Sequence, residues 1–339
     1  GYLGEIGDHL RRAGFSGSFL VVQSTGGLYE ADQAASACVR MLESGPAAGV
    51  IGTQALCHAL ALDNAIAFDM GGTTAKAGVI ANGEALTTGA ALLGGYEKAL
   101  PVQLAMMDIF EVGTGGGSIA RVEEGTLRVG PLSAGAQPGP ACYGLGGREP
   151  TVPDANLILG RLGADRFLGG EMRLDVAAAE RALRAKVADP LGLDLTMAAD
   201  GILRIAVTAM SYAVKGVTTE RGCDVGDFAL VAYGGAGPLH AVQVARELGM
   251  RKVIVPGAPG VFSAFGMLFS DLRYDFVRTW FTRLDDASFD EVERIYGELE
   301  DEGRTASSGT SVTPEVVTVK RAADMRYVGQ EHAVTVDLP

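Results

Sequence analysis

One short stretch does most to limit what this chain can become. Ala65-Ile66-Ala67-Phe68 is an unbroken apolar run, Asp69-Met70-Gly71-Gly72-Thr73-Thr74 is a glycine turn, and Ala77-Gly78-Val79-Ile80 is a second apolar run closed by Asn82-Gly83. Short apolar runs bounded by turn residues read as buried strands, and Asn-Gly is a strong hairpin signal. The segment predicts two strands inside a layered fold, with a carboxylate and two hydroxyls at the bend between them.

A second segment has the same logic. Ala229-Leu230-Val231-Ala232 is a buried-strand run that breaks at Tyr233-Gly234-Gly235-Ala236-Gly237-Pro238, and a helix follows over His240–Leu248. Helical spacing covers 2–13, 31–60 on either side of Glu43-Ser44-Gly45-Pro46, 171–220 and 289–302. Further strands are expected at 19–22 and 253–255, with two more near the C-terminus. Strands alternating with helices, hairpins among them, indicate an α/β fold with a mixed sheet. From about Asp271 the composition becomes more charged, which suggests that another module begins there.

Glycine bends let backbone N–H groups curl around phosphate oxygens without a Cβ in the way. The hydroxyls of Thr73 and Thr74 can donate to the same oxygens. Asp69 cannot sit bare beside a phosphate; it needs a divalent ion, and Mg²⁺ suits such a place. A plain Gly-Gly hairpin is the competing reading of 69–74, and a tight strand–helix turn is the competing reading of 234–238. The latter does not fit the GxGxxG dinucleotide pattern.

Composition narrows the partners. The 339 residues carry a net charge of −13 with no basic run, which speaks against nucleic acid. The apolar runs fall short of the roughly 20 residues of a membrane helix. The four cysteines (Cys38, Cys57, Cys142, Cys223) form no CxxC pair, so reduced thiols and a cytoplasmic location are expected. His9, His58, His240 and His332 have no zinc-site spacing. Cys142 and His240 read as packing residues, and Asp154 and Asn156 as helix caps. The chain starts without Met in a helical pattern and stops on a strand-like run, so an internal fragment is expected.

Four segments, in order, resemble the actin, sugar-kinase and chaperone ATPase superfamily: Ser44–Gly49 as a first connecting helix, Asp69–Thr74 as the second phosphate loop, Gly234–Pro238 as the adenosine loop and Gly260–Gly266 as a second connecting helix. Small residues in the connecting helices would allow close crossing. A narrower likeness lies over it. ESGPAAGVIG, DMGGTTAK, EVGTGGGSIA, GPLSAGAQPGPACYG, TVPDANLILGRL, YGGAGPLHA, GVFSAFGM and ADMRYVGQ are together similar to the hydantoinase A/oxoprolinase family, over nearly the whole chain.

This resemblance implies an actin-like (ribonuclease H-like) ATPase lobe with a mixed sheet, plus the start of a C-terminal α+β module. Residues 1–60 would end a first lobe and supply a connecting helix, 61–270 would form the ATPase-like lobe and 271–339 the new module. It implies ATP with Mg²⁺, or Mn²⁺ in its stead. Asp69 would hold the metal and act in catalysis with Asp108 and Glu111. Gly71, Gly72, Thr73 and Thr74, with Gly115, Gly116, Gly117 and Ser118, would hold phosphates, and Gly234, Gly235, Ala236 and Gly237 the adenosine. Asp108 and Glu111 can also be read as a solvated turn before a hairpin. The implied activity is ATP-dependent hydrolysis of a cyclic amide of hydantoin, N-methylhydantoin or 5-oxoproline type, in a hetero-oligomer with a hydantoinase B-like subunit or fused domain. An ATP-dependent ketone carboxylase subunit and a non-enzymatic actin- or chaperone-like protein are the alternatives. Two features depart from the pattern. The superfamily's first DxGGT-like turn is absent, and Thr74-Ala75-Lys76 stands where many relatives carry an acid. Lys76 could meet a phosphate; a solvated strand position is the preferred reading. Arg326, Tyr327, Gly329 and Gln330 are expected on a late strand.

Overall fold

The computed structural model describes residues 1–89, 91–93, 100–102, 104–219, 221–308, 310, 312, 315–330 and 333–338; His332 lies outside them. The chain divides into two compact units: Gly45–Thr87 with Met107–Phe269, and Gly1–Ser44 with Thr88–Met106 and Ser270–Pro339.

The larger unit is built on one sheet. Its strands are β1 (Ala65–Met70), β2 (Ala75–Ala81), β3 (Ile109–Val112), β6 (Ala229–Tyr233) and β7 (Lys252–Ile254), with a two-residue strand, Glu84–Ala85, pairing the end of β2. A hairpin of β4 (Ser118–Glu123) and β5 (Thr126–Ser133) stands apart from it. The order across the sheet is β3-β2-β1-β6-β7, antiparallel on the β3 side and parallel from β1 to β7. This is the mixed ribonuclease H-like sheet that the sequence implied.

β1 shows why the sequence runs apolar without a break. Side chains alternate faces along a strand, and here both faces are covered. Ile66, Phe68 and Met70 enter a core with α3 (Leu195–Thr219). Ala65 and Ala67 enter another with Ala47, Val50 and Cys57 of α1 (Ser44–Leu60). That second core is why α1 belongs with the sheet, and the boundary expected after residue 60 falls at 44–45 instead. α3 also corrects the estimate of apolar length. It is 25 residues long and apolar enough to cross a membrane by length and composition, but its apolar face fills the larger core of the sheet.

Three shorter helices bear on the site: α2 (Val152–Ile158), α4 (Gly237–Leu248) and α5 (Phe262–Gly266). Thr151, not Asp154, caps α2. Asp154 is the reciprocal member of the capping box, and Asn156 lies inside the helix. Asp154 is fully buried and also accepts the Cys142 N–H at 2.7 Å, which pins the Pro140–Cys142 loop to the helix.

In the smaller unit, helix Tyr2–Arg12 precedes a hairpin of Leu20–Val22 and Leu28–Glu30. Leu28 donates its N–H to Asp271 O at 2.8 Å and accepts from Arg273 N at 3.0 Å. Residues 1–44 are thereby tied to the 270s: the boundary expected near 271 falls at 269–270, and the unit that begins there also contains residues 1–44. Helix Phe289–Ser308 and the antiparallel strands Arg321–Met325 and Val334–Leu338 follow. Arg326, Tyr327, Gly329 and Gln330 fall in the turn after the first of these strands rather than on it, with Gln330 N–H bonded to Tyr327 O.

Candidate nucleotide site

Two turns leave the same edge of the sheet, at the C-terminal ends of the parallel neighbours β1 and β6. Asp69 and Tyr233 are directly opposed in that pair. The bends that follow therefore start side by side, and they interlock. Ala236 donates its N–H to Met70 O at 3.0 Å. Gly234 has φ +81°, which favours glycine, and a Cβ there would overlap the Asp69 carboxylate and lie 2.5 Å from Met70 O. The glycine turns read from the sequence thus form one surface.

That surface is open above its glycines. A Cβ on Gly71, Gly72 or Gly235 would meet nothing within 4 Å. Among the described residues no protein acceptor faces the N–H groups of Gly72, Thr73 or Gly235. Gly237 begins the 12-residue α4, whose dipole adds positive character at this end.

Gly115, Gly116, Gly117 and Ser118 are placed differently from the expectation that they face phosphates. All four are buried, and all four amides are already used. Gly115 N–H goes to Ser118 Oγ, Gly116 N–H to Gly71 O, Gly117 N–H to Gly72 O and Ser118 N–H to Gly115 O. A Cβ on Gly115 would overlap the Thr73–Thr74 backbone. The loop is glycine-rich because it packs backbone to backbone beneath the first turn. Ala134 N–H donates in turn to Gly117 O at 2.8 Å, so the segment after β5 continues the stack.

The acidic residues separate. Asp69 is half-buried at the lip. Burial raises its pKa above the ordinary carboxylate range, opposed by the Lys76 charge and a hydrogen bond from the Ser263 side chain. Glu111 lies opposite Lys76 in the sheet, 3.4 Å from its Nζ. Lys76 is therefore flanked by carboxylates, not solvated as expected, and its side chain is 19% exposed. Asp108 leaves the group. It lies three residues before Glu111, just ahead of the strand and about 10 Å back along the chain, and its carboxylate accepts from Arg221 Nε at 3.0 Å. That ion pair takes up its charge, and Asp108 is not among the carboxylates paired with Lys76.

Sequence reasoning passed over Tyr233, Thr53 and Ser263. Tyr233 is 1% exposed, packs at a tilt against Phe262 with ring centroids 4.9 Å apart, and hydrogen-bonds Thr53 of α1. Its hydroxyl pKa stands well above the ordinary value, chiefly through burial and then through the Asp69 charge. Its place at the end of a buried run, just before Gly234, was the available signal. Cys142 and His240 are both buried. Desolvation pushes the Cys142 thiol far up, which leaves it inert, and takes His240 down to about 4.

The hydantoinase/oxoprolinase family model matches residues 1–276. The chain belongs to that family. Among its relatives is the caprolactamase subunit alpha of Pseudomonas jessenii, 37% identical over 93% of this chain and 45% of the relative. The crystal structure of the ATP-dependent caprolactamase from the same organism superposes with a TM-score of 0.83 at 34% identity, covering 100% of this chain and 49% of that one. A nucleotide-free acetone carboxylase structure gives 0.79 at 28% identity, over 99% and 48%. The chain spans about half the length of the curated relatives it matches. The interlocked glycine turns thus sit in a family whose solved members include both a lactam-opening and a ketone-carboxylating enzyme.

Proposed function

We propose that this chain is the nucleotide-binding part of an enzyme that spends ATP to activate a cyclic amide for hydrolysis. The observation that carries the reading is the junction of two open glycine turns beside one half-buried carboxylate, Asp69. The amides of Gly72 and Thr73 would take phosphate oxygens, with the two threonine hydroxyls beside them. Gly235 and the start of α4 would lie against the rest of the nucleotide.

Mg²⁺ is the ion that these residues fit. Among the described residues no group of three or more His, Cys, Asp or Glu side chains could form an all-protein cage. Mg²⁺ needs none, since it commonly binds through one or two carboxylates, water and substrate phosphates. Asp69, half-buried beside the open turn, would hold the ion or its waters. Bound there, the ion would neutralise charge on the transferring phosphoryl group.

A ring amide resists water because resonance stabilises it. Transfer of the γ-phosphoryl group to the lactam oxygen breaks a P–O bond of ATP, releases ADP and leaves an O-phosphorylated imidate. Water adds to its carbon, the ring C–N bond then breaks with the departing nitrogen taking a proton, and hydrolysis of the acyl phosphate so formed releases phosphate and the opened amino acid. The glycine bends serve this by orienting the triphosphate, which is most of what phosphoryl transfer asks of a protein. The lactam and a hydantoinase B-like partner, separate or fused, would complete a hetero-oligomer. The four free cysteines suit a reducing cytoplasm.

The acetone carboxylase likeness favours a second reading, in which a ketone is trapped as its enol phosphate and carboxylated. One assay separates them. ADP release by the full-length enzyme with its partner is followed against a panel of lactams and ketones, with and without bicarbonate. Lactam-dependent release without bicarbonate is expected; a strict bicarbonate requirement would favour the carboxylase. Asp69→Asn should lower ADP release by about a hundredfold or more with an unchanged melting temperature. Near-normal turnover in that variant would remove the site from the mechanism.

A further inference from the structure

Across four adjacent strands, Glu111, Lys76, Asp69 and Tyr233 stand in mutual register. Opposed residues in a sheet share a face, with Cβ atoms about 4.5–5.5 Å apart. The row grades from Tyr233, 1% exposed, to Glu111, whose side chain is 42% exposed. Its charges alternate: a carboxylate, an ammonium, a carboxylate, then an uncharged phenol. The row stands one residue pair back from the open glycine turn, behind Met70 and Ala75.

We propose that Lys76 is a positioning residue of the nucleotide site: anchored by Glu111, its ammonium holds the Asp69 carboxylate in the orientation that receives Mg²⁺ with the nucleotide. The inference rests on the nucleotide-site reading above. Asp69 has little freedom on its other sides. Tyr233 is fixed beside it by Thr53 and Phe262, and the Gly234 backbone presses on the carboxylate so closely that no Cβ fits between them. Lys76 stands directly opposite it on the next strand, and its charge acts on the carboxylate. A lysine is a point charge on a flexible stem, and alone it would swing toward solvent or phosphate. Glu111, 3.4 Å from Nζ, is the tether that holds it in the row. Lys76 thus acts through Asp69 and is not itself a phosphate ligand.

The test uses the full-length protein with its partner and a non-hydrolysable ATP analogue, titrated calorimetrically with and without Mg²⁺. Wild type should bind the analogue more tightly with Mg²⁺. Lys76→Met, which keeps most of the stem, should lose about tenfold or more of the affinity measured with Mg²⁺, and change by less than about twofold without it. Lys76→Arg should recover most of the loss, and Glu111→Gln should fall between. Melting temperatures near wild type would exclude a merely structural effect. An undiminished Mg²⁺ enhancement in Lys76→Met would overturn the inference. Equal loss with and without Mg²⁺ would also overturn it, because that is the mark of direct phosphate contact. Asp69→Asn, measured in parallel, separates the two levels of argument. Should it keep the Mg²⁺ enhancement, the site reading itself falls; should it lose the enhancement while Lys76→Met keeps it, only the role of Lys76 falls.

Discussion

His240 is fully buried in the first turns of α4, its Nε2 accepting from Asn156 Nδ2 at 3.4 Å. Among the described residues no partner faces its Nδ1. Charging such a ring costs desolvation, and Arg161 adds repulsion, so its pKa falls to about 4. Between pH 6.5 and about 4 the unfolded chain binds a proton that the folded chain refuses. Stability therefore rises with pH across that window and is lost as the pH falls through it. The upper limit is about 3 kcal/mol, from 1.36 kcal/mol per unit of pKa. Urea unfolding at pH 7 and pH 4.5 should show this loss in wild type and a reduced loss in His240→Leu. An equal slope in both proteins would place the acid sensitivity elsewhere. The same reasoning separates Asp69 from Asp108: one is a carboxylate whose burial is incompletely compensated at an open turn, the other is spent on Arg221.

At the scale of elements, the close pass of α1 and α5 rests on two glycines, Gly52 and Gly266, and a third, Gly49, seats α1 on Tyr233 of β6. A Cβ on Gly266 would overlap Ala48 O and lie 3.0 Å from Gly52 N. One on Gly52 would lie 2.9 Å from Gly266 Cα, and one on Gly49 would lie 2.5 Å from the Tyr233 hydroxyl. Nothing flexible can move aside at Gly266, because the obstacles are backbone. Gly266→Ala should destabilise the larger unit by about 2–3 kcal/mol, as overpacking does, and a melting temperature within a degree of wild type would show that the helices can part. This crossing was legible in the sequence because small residues recur in GVFSAFGM and SGPAAGVIG. The strands were legible too, since both faces of β1 are buried and parity alone assigns its side chains. The Gly115–Ser118 loop was not, for glycine density marks close backbone approach without saying whether the visitor is a ligand or the protein's own chain. Only hydrogen-bond accounting shows that its amides are used. Lys76 was misjudged for a related reason: its neighbours in the row come from Asp69 and Glu111, seven positions before it and thirty-five after, and register is not visible in a linear sequence.

At the scale of the whole chain, affinity for a nucleotide must come from few groups. The net charge of −13 gives no attractive field for an anion, and among the described residues the donors at this surface are the 72–73 amides, the nearby threonine hydroxyls and the Gly235–Gly237 segment. Only one DxGGT-like turn occurs in these 339 residues, whereas the superfamily resemblance calls for a second on the opposite side of the nucleotide. Each missing charge-assisted hydrogen bond is worth about 1.5–3 kcal/mol, so two of them account for at least a hundredfold in affinity. The 339-residue chain should therefore bind Mg²⁺-ATP at least about a hundredfold more weakly than the full-length protein, as read by calorimetry under the same ionic conditions. The residual binding of the shorter chain should disappear in Asp69→Asn, because that binding comes from the surface described above. Equal affinity in the two lengths would mean that the turns at 71–74 and 234–237 already supply the whole site. The half of the relatives that lies beyond this chain would then serve the substrate alone.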